Sequence, residues 1–249
     1  MSKERDKKYG LLPPKPTPEI IPWHTLCIDL VGPYKFGKKE KPETYIELHC
    51  LTMIDPATGF VDVVEIGEKR ADYIANWLEI QWLSRYPWPT EITMDRGSEF
   101  AAEVSETLKS EYGIQRKIIT SRNPQSNAIV ERMHKTLHNM IRSAQIRDKT
   151  DLDEFFGFKG ILSACRKALN STVHTTSQAT PSQLVFGRDA MLNATFQADW
   201  EFIKERKQKL ILQNNKRENA KRTPHTYNVG DVVVVKAGKK RKHGTDPYL

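Results

Sequence analysis

The spacing of apolar and polar positions changes along the chain, and the changes outline its elements. Residues 23–31 (WHTLCIDLV) form a compact apolar run ended by Gly32-Pro33, which predicts a strand. A polar loop follows over 35–44. Residues 45–54 and 60–66 are two more strand-like runs. The stretch Asp55-Pro56-Ala57-Thr58-Gly59 between them has the chemistry of a tight hairpin turn. From residue 70 the period lengthens: Ile74, Trp77, Leu78, Gln81 and Trp82 fall at helical spacing over 70–85, and the two tryptophans are expected in the core. Short strands at 91–95 and 115–119 bracket a helix near 99–112. Ser126 opens a long helix reaching about Arg147. Residues 152–170 read as a deeply buried, strongly apolar helix, and 200–222 as a charged one. Strand character returns at 227–236. Three strands in a meander, then strands alternating with helices, predict an α/β fold: a mixed sheet with helices packed on it.

Composition narrows the class. With 38% hydrophobic and 28% charged residues, a folded core is within reach and global disorder is not expected. No apolar run approaches membrane-spanning length, and the charged start MSKERDKKYG lacks the apolar centre of a secretory signal. No membrane partner is expected, and the chain reads as intracellular. Cys27, Cys50 and Cys165 stand far apart without a CxxC pair, so neither a disulfide framework nor a structural zinc is expected. The net charge of +8 is localised. Residues 201–249 hold 13 of the 39 Lys/Arg but only 5 of the 31 Asp/Glu, leaving the first 200 residues balanced. A polyanion-binding appendage on a neutral domain and a merely solvated tail both fit that asymmetry. The expected organisation is a charged, proline-rich linker over 1–22, a core over 23–190, a charged helical linker over 191–225 and a small β-module over 226–249.

Three acids sit where acids are not structurally comfortable. Asp29 lies inside the first apolar strand, Asp95 closes EITMD before Arg96-Gly97-Ser98, and Glu131 falls early in the long helix. A carboxylate among apolar neighbours pays desolvation unless it is paired or holds a cation. Singly, each has an ordinary role: strand-end acid, turn former or helix cap, solvated helix residue. Together, acids from two strands and a helix would suit two hard divalent cations, which prefer oxygen ligands. On a phosphodiester, one ion would activate the attacking oxygen and the other would stabilise the leaving oxygen, at a separation of about 3.5–4 Å.

Asp95 and Glu131 have 35 residues between them. With Asp29, this resembles the D,D(35)E signature of retroviral and long-terminal-repeat retrotransposon integrases. The flanking words match as well: Gly32-Pro33-Tyr34 after Asp29, then Asp95-Arg96-Gly97-Ser98-Glu99-Phe100, and Asn123-Pro124-Gln125-Ser126-Asn127-Ala128-Ile129-Val130-Glu131-Arg132. The resemblance spans about residues 9–190, and Tyr9-Gly10-Leu11-Leu12-Pro13-Pro14 with Pro22-Trp23 looks most like the gypsy-type branch. Ala128 departs from the glycine usual there, a change that should not harm a helix. The resemblance implies an RNase H-like core, a five-stranded mixed sheet flanked by helices. It also implies a Mg²⁺-dependent polynucleotidyl transferase with endonuclease activity that processes 3′ ends and joins element DNA to host DNA. Asp29 would bridge two Mg²⁺ ions, Asp95 and Glu131 would each hold one, and Mn²⁺ could substitute. Implied partners are the element's DNA ends, host target DNA and further copies of the chain, a homodimer or higher oligomer formed through residues 152–170. The implied destination is the host nucleus, after a virus-like particle in the cytoplasm.

Along the long helix, Ile129, Val130, Met133, Leu137, Met140, Ile141 and Ala144 form the expected core stripe. Asn127, Glu131, Lys135, His138 and Arg142 recur on the other side, either an ordinary solvated face or a DNA-facing edge. In the resembling family the positions of Asn127, Lys135 and His138 contact the DNA end; His134 is the weaker candidate. Lys239, Lys240, Arg241 and Lys242 follow the last strand. They resemble the basic part of the SH3-like C-terminal module of integrases, here partly truncated, with Val229-Gly230-Asp231 and Asp246-Pro247-Tyr248 as its words. Asp246 stands where gypsy-type elements usually have glycine. A nuclear-import signal is a competing use of the same cations. The His/His/Cys/Cys zinc domain that precedes such cores has no counterpart in the sequence. A cut-and-paste transposase of the same fold and a domesticated, non-catalytic DNA binder are the alternatives.

Overall fold

A turn that carries its own side-chain acceptor organises one of the antiparallel hairpins of the protein. The computed structural model describes residues 8–14, 20–36, 46–94, 108–118, 128–148, 157–189, 192, 194–226 and 228–230. In chain order the strands are β1 (Lys8–Tyr9), β2 (Thr25–Phe36), β3 (Ile46–Ile54), β4 (Val61–Ile66), β5 (Glu91–Met94), β6 (Gln115–Ile118) and β7 (Arg222–Thr223). The helices are α1 (Ala71–Leu78), α2 (Ala128–Asp148), α3 (Gly157–Ser171), α4 (Pro181–Phe186) and α5 (Trp200–Asn219). The chain divides into two units, Lys15–Leu210 and the pair of segments Met1–Pro14 and Ile211–Leu249.

In the larger unit, β3 and β4 are joined by the predicted turn. Buried Asp55 accepts the Ala57 N–H at 2.9 Å and the Thr58 hydroxyl at 2.8 Å. Gly59 closes the turn with its N–H on the Asp55 carbonyl at 2.7 Å and a φ of 79°, a conformation that glycine adopts without a Cβ penalty. The sheet has five strands in the order β4-β3-β2-β5-β6, antiparallel over the first three and parallel from β2 to β6. This is the mixed sheet that the meander and the later alternation predict.

Strand alternation gives the sheet two apolar faces. Leu26 and Ile28 point to one, with Leu51, Met53, Ile92, Met94 and Ile74, Leu78 and Trp82. Trp82 is fully buried and Trp77 packs against the same cluster, as expected. Cys27 belongs to the other face, with Cys50, Val61 and Val63, covered by Val130, Met133, Leu137 and Ile141 of α2 and by Leu162 and Cys165 of α3. Each fully buried aliphatic side chain contributes about 1.5–3 kcal/mol by removal from water, so both faces stabilise the fold substantially.

Several expectations need correction. β2 does not end at Gly32-Pro33. It continues to Phe36, and its pairing with β3 shifts between Val31 and Tyr34, so the Gly-Pro pair is absorbed as a bulge. The helix expected over 70–85 is α-helical only to Leu78. A π-helical turn, Glu79–Leu83, then brings both Trp82 and Leu83 inside. Ile129, assigned to the core stripe of α2, is 39% exposed because the buried ridge runs through Val130, Met133, Leu137 and Ile141. Nor is α3 buried all round: Leu162, Cys165 and Asn170 face inward, whereas Ser163, Ala164 and Lys167 are exposed. Asn170 docks α3 on β4 with both ends of its amide, accepting the Val61 N–H at 2.9 Å and donating to the Val61 carbonyl at 2.7 Å.

In the smaller unit β1 and β7 pair in parallel, Lys8 with Arg222 and Tyr9 with Thr223. The Gly10 N–H donates to the Thr223 carbonyl at 2.9 Å, and the Arg222 guanidinium donates to the carbonyls of Gly10 and Tyr9. Asn219 accepts the Leu12 N–H at 2.8 Å and returns a bond to the Leu12 carbonyl at 3.0 Å. Part of the segment expected as an extended linker is therefore hydrogen-bonded chain. The SH3-like module expected at the C-terminus falls largely on residues 231–249, outside the described residues.

Candidate functional site

Asp29 enters the second apolar face two residues beyond Cys27, on the central strand of the sheet. Its side chain keeps 33% exposure, and its Oδ1 accepts the N–H of Leu30 at 2.8 Å. Directly opposite on β3 is Thr52. The buried Thr52 hydroxyl donates to the main-chain carbonyl of Asp29 at 3.0 Å and lies 2.9 Å from Nε2 of His134 on α2. A hydroxyl has one proton, and here the carbonyl takes it, so the imidazole is the donor and Nε2 carries the hydrogen. Burial pulls the pKa of His134 down to about 4, so its ring is neutral at pH 7. Nδ1 then presents a lone pair 3.8 Å from Asp29 Oδ2, a separation too long for a hydrogen bond.

Glu131 lies in the first turn of α2, exposed, three residues before His134. Residues three apart share a helix face with Cβ atoms about 5–6 Å apart, so the helix that touches Asp29 through His134 carries Glu131 on that same side. A carboxylate near the helix start is also favoured by the positive end of the helix dipole. Asp95 lies outside the described residues. β5 is described up to Met94 and pairs Thr93 with Cys27; Asp95 follows Thr93 by two residues, as Asp29 follows Cys27. Among the described residues no three His, Cys, Asp or Glu side chains cluster as a metal site.

Beyond Glu131, the predicted edge of α2 is solvent-facing: Lys135, His138 and Arg142 are all exposed. The His138 ring stacks on buried Tyr34, centroids 5.9 Å apart at 26°, so the residue that follows the Gly-Pro bulge fixes one side of that edge. Gly32 is required there. Its φ is 131°, and an added Cβ would meet the Leu48 carbonyl at 2.8 Å and His49 Nδ1 at 2.9 Å. Asn127 and the cations Lys239, Lys240, Arg241 and Lys242 lie outside the described residues. Thr52 escapes sequence reasoning, and Tyr34 enters it only within the word Gly32-Pro33-Tyr34, without its contact to His138. The signals available were a hydroxyl inside the apolar strand LHCLTMI and an aromatic directly after Gly-Pro.

The other buried acid outside the hairpin turn is matched by cations. Asp62 is fully buried and accepts from Arg85 at 3.1 Å, from Arg166 at 3.0 Å and from the Val63 N–H at 2.8 Å. That ion-pair network ties α3 and the segment after α1 to β4, and Asp62 is structural.

This sheet order and its two helical layers define an RNase H-like fold, that of retroviral integrase catalytic cores. The chain is a homologue of the Pol polyproteins of retroviruses and retrovirus-related transposons. It is 30% identical over 181 residues, 72% of its length, to the retrovirus-related Pol polyprotein from transposon 412 of Drosophila melanogaster. With the Pro-Pol polyprotein of simian foamy virus type 3 it is 26% identical over 176 residues, 71% of its length. The chain spans 14% of the length of each of these curated relatives. Among solved structures, it is similar to the simian T-cell lymphotropic virus intasome bound to a PP2A regulatory subunit. There the TM-score is 0.57 at 18% identity, over 80% of this chain and 64% of that one. The HTLV-2 integrase catalytic core in complex with magnesium gives a TM-score of 0.51 at 17% identity, over 67% of this chain and 98% of that one. No family model matches the chain.

Proposed function

We propose that residues 23–190 are the catalytic core of a gypsy-type retroelement integrase, which trims the 3′ ends of element DNA and joins them to host DNA. The carrying observation is Asp29 on the central strand of this fold, in contact through His134 with the helix that bears Glu131. Homology to Pol polyproteins and the integrase-core fold support the same reading.

Asp29, Asp95 and Glu131 form an all-oxygen donor set, and oxygen ligands suit hard ions such as Mg²⁺, with Mn²⁺ as a substitute. The part-exposed carboxylate of Asp29 and the exposed Glu131 fit that use. Two such ions, when bound, would activate the attacking oxygen and stabilise the leaving oxygen of a phosphodiester. The remaining residues bind and orient DNA. Lys135 and Arg142 offer charge to phosphates along the exposed edge of α2, while His138, held by Tyr34, and Asn127 help to fix the strand's path. Lys239, Lys240, Arg241 and Lys242 add phosphate binding without sequence preference. In this proposal residues 1–22 and 191–225 are linkers, residues 226–249 belong to a basic SH3-like module, and the enzyme acts in the nucleus as a dimer or larger assembly.

The test is strand transfer on a labelled duplex with Mg²⁺ or Mn²⁺, comparing wild type with Glu131→Gln. Joined product from wild type and loss of at least about a hundredfold in the variant is the expected result. Equal product from both would overturn the assignment of Glu131. DNA binding without any product, even with Mn²⁺, would favour a non-catalytic binder.

A further inference from the structure

On the reading of Asp29 as a cation ligand, we propose that Thr52 and His134 act together as positioning residues, fixing how Asp29 presents its carboxylate to a divalent ion. Three observations converge on that role. The Thr52 hydroxyl is bonded to the backbone of Asp29 itself at 3.0 Å, so it restrains the strand rather than the side chain. That restraint lies just before the irregularity between Val31 and Tyr34, where the β2–β3 ladder gives least support. The hydroxyl in turn receives the Nε2–H of His134 at 2.9 Å, which joins β2, β3 and α2 through one partly buried polar contact.

The same ring also borders the carboxylate: His134 Nδ1 stands 3.8 Å from Asp29 Oδ2, so the contact that holds Thr52 sets what lies beside Asp29. Oδ1 is engaged by the Leu30 N–H, which restrains the carboxylate from the other side. Such outer contacts around metal ligands are commonly worth about 10–100-fold in metal affinity.

The experiment titrates the full 249-residue chain with Mn²⁺ and follows the thermal unfolding midpoint, which rises as a folded-state ligand binds. His134→Leu and Thr52→Val, the latter nearly isosteric, should each raise the half-saturating Mn²⁺ concentration about tenfold. The double variant should be no weaker than either single one, because both break the same contact. His134→Gln, whose amide N–H reaches about as far as Nε2, and Thr52→Ser should stay within about threefold of wild type. A purely structural role would lower the metal-free midpoint and leave the Mn²⁺ dependence unmoved, and that outcome overturns the proposal. Asp29→Asn separates the two levels. If it abolishes the Mn²⁺ response while Thr52→Val does not shift it, only the positioning role falls. If Asp29→Asn responds like wild type, the cation site and the positioning role fall together.

Discussion

Asp62 and Asp55 are both buried carboxylates of the β3–β4 hairpin, yet different surroundings hold them. Asp62 sits between two guanidinium groups, Arg85 and Arg166, that remain partly in water. Replacing Asp62 with Ala strands those cations and the Val63 N–H; because the arginines are partly exposed, the expected loss is at the lower end for such pairs, about 3 kcal/mol. Urea denaturation of Asp62→Ala checks this, and a change below about 1 kcal/mol would refute the clamp. Among the described residues no guanidinium is bonded to Asp55, and burial raises its pKa above the usual carboxylate value, against the pull of its hydrogen bonds from Thr58, Ala57 and Trp23 and of the Lys207 ammonium. A raised folded-state pKa means that the folded chain holds the proton more tightly than the unfolded chain. The stabilising contribution of Asp55 is thus full below about pH 3.8 and is lost as pH rises through the folded-state value. The stability of wild type relative to Asp55→Asn should fall as pH rises from about 3.8, measured by denaturation at a series of pH values. A flat difference would contradict the shift.

At the scale of the element, β2 is the most demanding piece of the fold. It must pair on both edges, carry Asp29 and still pass through Gly32-Pro33. Gly32→Ala should destabilise by roughly 1–3 kcal/mol, since alanine is strained at a φ of 131° and its Cβ collides with the Leu48 carbonyl. A denaturation midpoint equal to wild type would mean that the bulge relaxes more freely than its geometry implies. The elements themselves were largely legible in the sequence. Apolar runs bounded by turn residues mark β3 and β4, because both faces of the sheet are covered, and a period of 3.6 marks α1 and α2, which bury one face each. What periodicity misses is whatever depends on a distant partner. The passage of β2 through a Gly-Pro pair rests on Leu48 resuming the ladder opposite Tyr34. The widened turn after Leu78 is what brings Trp82 and Leu83 inside together. In the candidate site, Asp29 and Glu131 stand out by residue type against their neighbours. Thr52 does not, because a threonine in a strand is ordinary until its hydroxyl is found on Asp29.

For the whole molecule, charge placement makes the next prediction. The basic excess lies after residue 200, and α2 adds exposed Lys135 and Arg142. Binding to a random-sequence duplex should weaken steeply with salt, with a log–log slope that flattens by about one for each phosphate-contacting cation removed. Replacing Lys239, Lys240, Arg241 and Lys242 with alanine should therefore flatten it by up to about four, read by fluorescence anisotropy. An unchanged slope would assign those cations to some other use.

The pairing of β1 with β7 makes the polypeptide a loop fastened at its neck. Strands in register lie about 4.8 Å apart, so Lys8 and Arg222 are spatial neighbours despite all the chain between them. Anything attached ahead of Lys8 and anything attached after Thr223 start from adjacent points, at an effective concentration set by the clasp rather than by the length of the intervening sequence. Donor and acceptor fluorophores placed at the two ends of the clasp would sense each other strongly in the folded chain. A protease cut inside the loop would then leave its two ends still held together.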